Sequence, residues 1–250
     1  MEDRAGTGMT PPPSRIQRIL ASDFLFDFRR APLAMLAASI VAFLFLVALL
    51  APLVAPTNPF DPASLNLMNG FTPPMTANMF TGESFVMGTD DQGRDLISAI
   101  IYGLRVSLFV GVMSVLLAMG LGVSLGLLAG YVGGWIDNLI MRVADIQLTF
   151  PSLLIAMLIV GVMRGIIPPD LRDEMAIFVL ITAIGLSEWV PFARTVRATT
   201  LVEKEKEYVQ AARLIGLRRT QIMWRHILPN VIGPVLVIAT ITLALAIIAE

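Results

Sequence analysis

The chain has 250 residues, 56% hydrophobic and 15% charged, with 18 basic against 19 acidic side chains and a formal net charge of −1; its mean hydropathy is +0.77. An ordinary soluble domain carries roughly a quarter charged residues, so this composition describes a membrane protein, and its balanced charge supplies no long-range field toward nucleic acid or acidic ligands. There is no cysteine and a single histidine, His226, which excludes disulfides, thiol chemistry, iron–sulfur clusters and a histidine-based metal cluster.

Residues 1–30 form a Pro-rich leader that opens "MEDRAGTGMTPPPSR". It is too long for a signal-peptide head, and the apolar run behind it exceeds the roughly 7–15 residues of a signal core. A bilayer core takes about 20 apolar residues in helix, and charge-free intervals locate the candidates. The first span is 31–55, carrying "PLAMLAASIVAFLFLVALLAPLV". The next segment, 56–105, is a loop. In it Thr89 and Gln92 have capping-box spacing, Asp90 and Arg94 form an i,i+4 charge pair, and Leu96, Ile97, Ile100, Ile101 and Leu104 recur at helical spacing. A short amphipathic helix leading into span two is expected there, either lying on the membrane surface or docking a partner.

The remaining chain, 106–250, reads as the core membrane domain. Span two is the Gly-rich interval 106–136, whose small residues suit close helix packing in lipid. Span three covers 146–163, with its helix beginning nearer Asp137. Span four is 175–193 and contains Glu188, a carboxylate that marks either a pathway or a buried charge, with Arg194 or Arg197 available to neutralise it. Asp145 has Arg142 at i,i+3. Span five is 227–249, and a sixth is expected beyond Glu250. Basic residues orient these spans. Arg4, Arg15, Arg18, Arg29 and Arg30 precede span one, Arg142 lies between spans two and three, and eight more lie between spans four and five; only Arg94, Arg105, Arg164 and Arg172 fall on the other side. The positive-inside rule then places the N-terminus in the cytoplasm and 56–105 outside.

One charged segment interrupts the apolar pattern: 203–229 within "EKEKEYVQAARLIGLRRTQIMWRHILPN". Tyr208, Ala211, Ala212 and Ile215 are expected on one helix face, with Glu207, Gln210 and Arg213 beside them. Gly216 stands where a helix C-terminus wants positive φ. Ile222, Met223, Ile227 and Leu228 make a second amphipathic helix, and Pro229 is expected to mark the turn into span five. The composition also suits a basic hairpin resting on anionic lipid.

"QAARLIGLRRTQIMWRHILP" resembles the cytoplasmic signature of binding-protein-dependent ABC importer permeases, matching at Ala211, Ala212, Gly216, Leu228 and Pro229. Gln210 departs from it, because that family usually has glutamate there. "GTDDQGRDLISAIIYGLRVSL" and "GLSEWVPFARTVRATTLVEKEKEYV" are similar to the dipeptide and oligopeptide branch, in its second permease subunit type. The resemblance implies an all-α polytopic transmembrane helix bundle in a bacterial inner membrane. It implies a translocation pathway shared with a second permease subunit, two ATP-binding cassette ATPase subunits and an external solute-binding protein, with the cargo a di- or oligopeptide or a related small solute such as nickel. It makes 203–229 a coupling segment, with Glu207, Tyr208, Gln210, Ala211, Ala212, Arg213, Ile215, Gly216, Leu228 and Pro229 its ATPase-coupling residues. The chain itself carries no phosphate-binding loop: its lysines, Lys204 and Lys206, follow no glycine. It is therefore expected to be no enzyme and to bind no cofactor, ATP and Mg belonging to the partner subunits. The rival reading is an ATP-independent secondary transporter or channel, which ordinarily shows internal repeats. A membrane-embedded enzyme is disfavoured because the chain has no H-E-x-x-H motif, no cysteine nucleophile and no histidine inside a span to serve as base.

Overall fold

The computed structural model describes residues 28–61 and 65–249. Most of the leader, and any sixth span after Glu250, lie outside the described residues. Ten α-helices run through the rest: α1 Pro32–Leu49, α2 Ala51–Val54, α3 Leu96–Val132, α4 Gly134–Leu148, α5 Ser152–Ile166, α6 Arg172–Ser187, α7 Trp189–Glu203, α8 Glu207–Leu214, α9 Arg219–Ile222 and α10 Leu228–Ala249. A π-helical turn, Met223–Ile227, joins α9 to α10. Among the described residues four stretches are long and apolar enough to cross a membrane: Pro32–Leu49, Leu96–Val132, Pro169–Glu203 and Arg219–Ala249. α4 and α5 together make a fifth candidate bent by 97°. The chain divides between Tyr102 and Gly103 into two compact units.

In the first unit α1 is apolar on every side and largely exposed, as a helix in lipid must be. The segment after it is held by side-chain hydrogen bonds, and among the described residues its only sheet-like pairings are the isolated bridges Ala77 to Ser84 and Thr89 to Asp95. Thr89 Oγ1 donates to the Asn69 carbonyl and accepts from the Thr72 N–H at 2.9 Å. Asn78 Nδ2 donates to Thr72 Oγ1 at 2.7 Å and to the Met68 carbonyl at 3.0 Å. Gly93 has φ +77°, and a Cβ there would sit 2.1 Å from the Asn66 carbonyl oxygen, so no other residue fits.

The expected capping box at Thr89 and Gln92 does not form, because the Thr89 hydroxyl is committed to the Asn69 and Thr72 backbone. The helix starts at Leu96 instead, capped by Asp95, whose Oδ2 accepts from Ser98 N–H at 2.9 Å and Ser98 Oγ at 2.6 Å. The Asp90–Arg94 ion pair is present at 2.7 Å, but in a turn closed by Asp90 Oδ1 accepting from the Gln92 and Arg94 N–H groups, each at 2.9 Å. Burial alone would raise the Asp90 carboxyl; the Arg94 N–H, the Arg94 guanidinium and the Gln92 N–H outweigh it and hold the group below its ordinary value. The amphipathic helix expected before span two is no separate element. It forms the first turns of α3, which at 37 residues is about 55 Å long, well beyond a hydrocarbon core of about 30 Å.

The second unit is built on a close crossing of α3 and α7. Gly122, Gly126 and Gly130 make one stripe of α3. A Cβ on Gly122 would lie 2.5 Å from Phe192 Cβ and from the Trp189 carbonyl oxygen; on Gly126, 2.4 Å from the Ala193 carbonyl oxygen; on Gly130, 2.8 Å from Thr200 Cβ. Small residues at this spacing let backbones touch where lipid offers no hydrophobic drive. The crossing leaves the buried Thr200 hydroxyl without a hydrogen-bond partner.

The third and fourth expected spans are interrupted, each at a proline. Pro151 disfavours helical geometry at Phe150, so α4 and α5 part there. Pro191 is the third residue of α7, where a continuous helix would drive its ring into the Ser187 carbonyl. The helix therefore breaks at Glu188 (φ −109°, ψ 9°). The carbonyls so released are taken by Gln147 of α4, whose Nε2 donates to Ser187 at 2.9 Å and Leu186 at 3.1 Å, while its Oε1 accepts from Trp189 Nε1 at 2.8 Å. Two ion pairs fasten α4 to α7: Arg194 to Asp145 at 2.5 Å, and Arg197 to Asp137 through both carboxylate oxygens, the second contact at 2.6 Å. This corrects two expectations. Asp145 pairs with Arg194 and not with Arg142, and neither Arg194 nor Arg197 neutralises Glu188.

Candidate coupling segment and unpaired charge

From α7 the chain makes a tight exit. Lys206 Nζ meets the buried Glu203 carboxylate at 2.5 Å, and Lys204 Nζ donates to the Gly130 carbonyl at 3.1 Å. α8 then runs eight residues. Gly216 ends it with φ +80°, as the sequence pattern requires, and the Leu217 N–H reaches back to the Ala212 carbonyl at 3.2 Å. The second amphipathic helix is present: Ile222, Met223 and Ile227 are buried and Leu228 packs against them. Pro229, expected at a turn, is the second residue of α10 instead. A first-turn proline needs no partner for its missing donor, and the preceding π-helical turn absorbs the register change.

α8 is amphipathic, but its faces are not those expected. Val209 and Ala212 point into the chain's own core, and Ala212 is 3% exposed. Ala211 lies on the opposite, open side with Leu214 at 90% and Ile215 at 77% exposure. Ala212 therefore does not share a free face with Ala211 and Ile215, because the helix needs that small side chain to settle against the core. Leu214 was not among the expected site residues; its place one turn after Gln210 and three residues after Ala211 is the signal that would have found it.

Three contacts tie α8 to its neighbours. Asn230 Nδ2 of α10 donates to Tyr208 Oη at 3.0 Å and to the His226 carbonyl at 2.8 Å. Partial burial pushes the Tyr208 phenol above its ordinary value, and its hydrogen bond with Glu203 adds to the rise, so it stays protonated as a donor. The Arg213 guanidinium lies 5.4 Å above the Tyr131 ring at the end of α3. Gln210 Nε2 donates to the Glu205 carbonyl at 2.9 Å, a bond that requires an amide and that a glutamate in the same place would lack. Glu188 is half-buried, and its carboxylate has no hydrogen-bond or ion-pair partner among the described residues.

The sequence profile described as the binding-protein-dependent transport system inner membrane component matches residues 122–250, which hold the helix crossing, the α4–α7 ion pairs and all of α8 to α10. The chain belongs to that family. A second profile, the N-terminal transmembrane domain of oligopeptide transport permease C, matches residues 20–74 of this permease. It is 33% identical over 231 residues to an oligopeptide transport system permease protein of Bacillus subtilis, covering 92% of this chain and 69% of the relative. It is 35% identical over 246 residues to a dipeptide transport system permease protein of Alkalihalophilus pseudofirmus, covering 96% and 74%. A glutathione transport system permease protein of Escherichia coli is 36% identical over 230 residues, covering 91% and 69%. The permease is thus an all-α membrane protein of the transporter class to which the sequence resemblance pointed.

Proposed function

We propose that this chain is the permease subunit of a peptide-importing ABC transporter, lining with a second permease subunit the path of a di- or oligopeptide, or a tripeptide-like cargo such as glutathione, across a bacterial inner membrane. The names of its relatives support the cargo class, and an external binding protein would deliver it. The N-terminus and α8 face the cytoplasm by the distribution of basic residues. The chain hydrolyses nothing itself; two ATPase subunits supply the energy.

The observation that carries the coupling role is the open apolar edge of α8. Ala211, Leu214 and Ile215 stand on a short helix whose other face is anchored to the chain. A lone apolar edge on a charged hairpin is costly in water and calls for a partner surface. When the ATPase dimer closes, α8 is pushed as a rigid knob. The push passes to α7 through Lys206 and Glu203, to α10 through Tyr208 and Asn230, and to α3 through Arg213 and Tyr131. Because the glycine stripe locks α3 to α7, these helices move as one body against the partner subunit and switch access across the membrane.

The test compares two aspartates. Leu214→Asp should leave the chain folded and inserted but strip the ATPases from it on co-purification. Ala212→Asp should lower the yield of folded chain itself, since it buries an unpaired charge in the core. Should Leu214→Asp keep the ATPases at wild-type stoichiometry and transport normally, α8 is not the coupling element.

A further inference from the structure

A second feature of the hairpin points away from the ATPase edge. Between the end of α3 and the hairpin lies a cavity of about 390 Å³ lined by Tyr131, Val132, Arg213, Leu217, Arg219 and Ile222. Its two charged walls are both arginines and no acid lines it. Neither Arg213 nor Arg219 has a carboxylate partner among the described residues, where the ion pairs involve other side chains. Arg213 is not a loose surface cation, because its guanidinium is stacked on the Tyr131 ring and Tyr131 is buried. A stacked guanidinium keeps its N–H edge free for an oxyanion and loses little freedom on binding one.

The rest of the cavity says which anion. Leu217, Ile222 and Val132 are apolar, and above Val132 the surface of α3 continues apolar and exposed at Leu128. That is the profile of a headgroup site, with a charged floor at the end of a membrane helix and an open apolar strip leading into the hydrocarbon. We propose that this cavity binds the phosphate of an anionic phospholipid of the cytoplasmic leaflet, with Arg213 and Arg219 as its ligands and an acyl chain lying along Leu128 and Val132. The bound lipid braces the coupling helix against α3 on the side opposite Leu214 and Ile215.

The experiment uses the full chain alone in detergent, so it stands or falls separately from the cargo and ATPase assignments. Native mass spectrometry counts phosphatidylglycerol retained through delipidation, against phosphatidylcholine and with excess inorganic phosphate as competitor. The wild-type chain should retain phosphatidylglycerol over phosphatidylcholine by tenfold or more and resist displacement by phosphate. Arg213→Gln with Arg219→Gln should erase that preference while the helical content and elution volume stay unchanged; Arg225→Gln, an exposed arginine off the cavity, should not. Equal retention in the double variant overturns the proposal. So does displacement by inorganic phosphate with the same arginine dependence, which would make the ligand the free anion. An absence of lipid preference in the wild-type chain overturns it as well. Should the double variant misfold, Tyr131→Leu, which removes only the ring beneath Arg213, should reduce the preference, and an unchanged preference there counts against the site.

Discussion

Gly126→Ala isolates the feature on which the helix bundle rests. The new Cβ would sit 2.4 Å from the Ala193 carbonyl oxygen and 3.0 Å from the Ala193 Cα and carbonyl carbon, all backbone atoms with no rotamer to move to. α3 and α7 must separate by more than half an ångström, and the separation propagates to Gly122, packed nearly as tightly at 2.5 Å, and to Gly130 at 2.8 Å. Overpacking of this kind costs about 1–3 kcal/mol, while replacing a helical glycine by alanine returns up to about 1 kcal/mol of propensity. The net expectation is a loss of about 1–2 kcal/mol. Gly120→Ala, on the same helix with nothing within 4 Å of its Cβ, should show only the propensity gain. Thermal inactivation of the two variants in detergent, read as the fraction eluting as folded chain, measures the difference directly. If Gly126→Ala proves as stable as Gly120→Ala, the close approach of α3 to α7 is not what holds the unit together.

Tyr208→Phe removes one hydroxyl, about 1 kcal/mol of hydrogen bonding, and should leave assembly intact while lowering cargo transported per ATP hydrolysed; unchanged stoichiometry would discard the Tyr208–Asn230 link as a transmission point. Asp90 has its folded pKa depressed, so its contribution to the turn at 89–95 is present above the ordinary carboxylate value of about 3.9 and is lost as pH falls through the lower folded value. The protection of residues 89–95 against hydrogen exchange, taken relative to the intrinsic rate at each pH, should therefore fall on acidification, and Asp90→Asn should show low protection at every pH. Glu188→Gln breaks no ion pair, so the thermal midpoint should hold or rise; a clear fall would mean that the carboxylate is satisfied in a way its surroundings do not reveal. Thr200→Val replaces a buried, unpartnered hydroxyl by a methyl of like shape and should likewise not destabilise.

The spans were legible because their signal is cumulative: charge-free runs such as 31–55 need no single residue to be right. The helical hairpin within 203–229 was legible in outline for a related reason, since Gly216 and the apolar repeat through Ile227 report local backbone demands. Orientation within α8 was not legible. Ala211 and Ala212 are chemically identical, and only the position of the core decides which one is covered. The breaks at Phe150 and Glu188 had visible causes in Pro151 and Pro191, but whether a proline kinks or breaks a membrane helix depends on who receives the freed carbonyls, and Gln147 is some forty residues away from them. The ion pairs were misassigned for the same reason: sequence spacing proposes Arg142 for Asp145, whereas packing of α4 on α7 brings up Arg194 from 49 residues further along.

That separation in sequence has a consequence for how the chain is made. Asp137 and Asp145 are synthesised first, and their arginines follow 60 and 49 residues later, a delay of roughly 2–12 s at ordinary ribosomal speeds of about 5–20 residues per second. For that interval the nascent protein holds two acidic groups in α4 with Arg142 as the helix's own basic residue, and the arrival of α7 pairs both at once. A chain cut short before residue 194 keeps them exposed permanently. An unfinished permease thus differs electrically from a finished one by two acidic groups on α4 that have yet to meet their arginines.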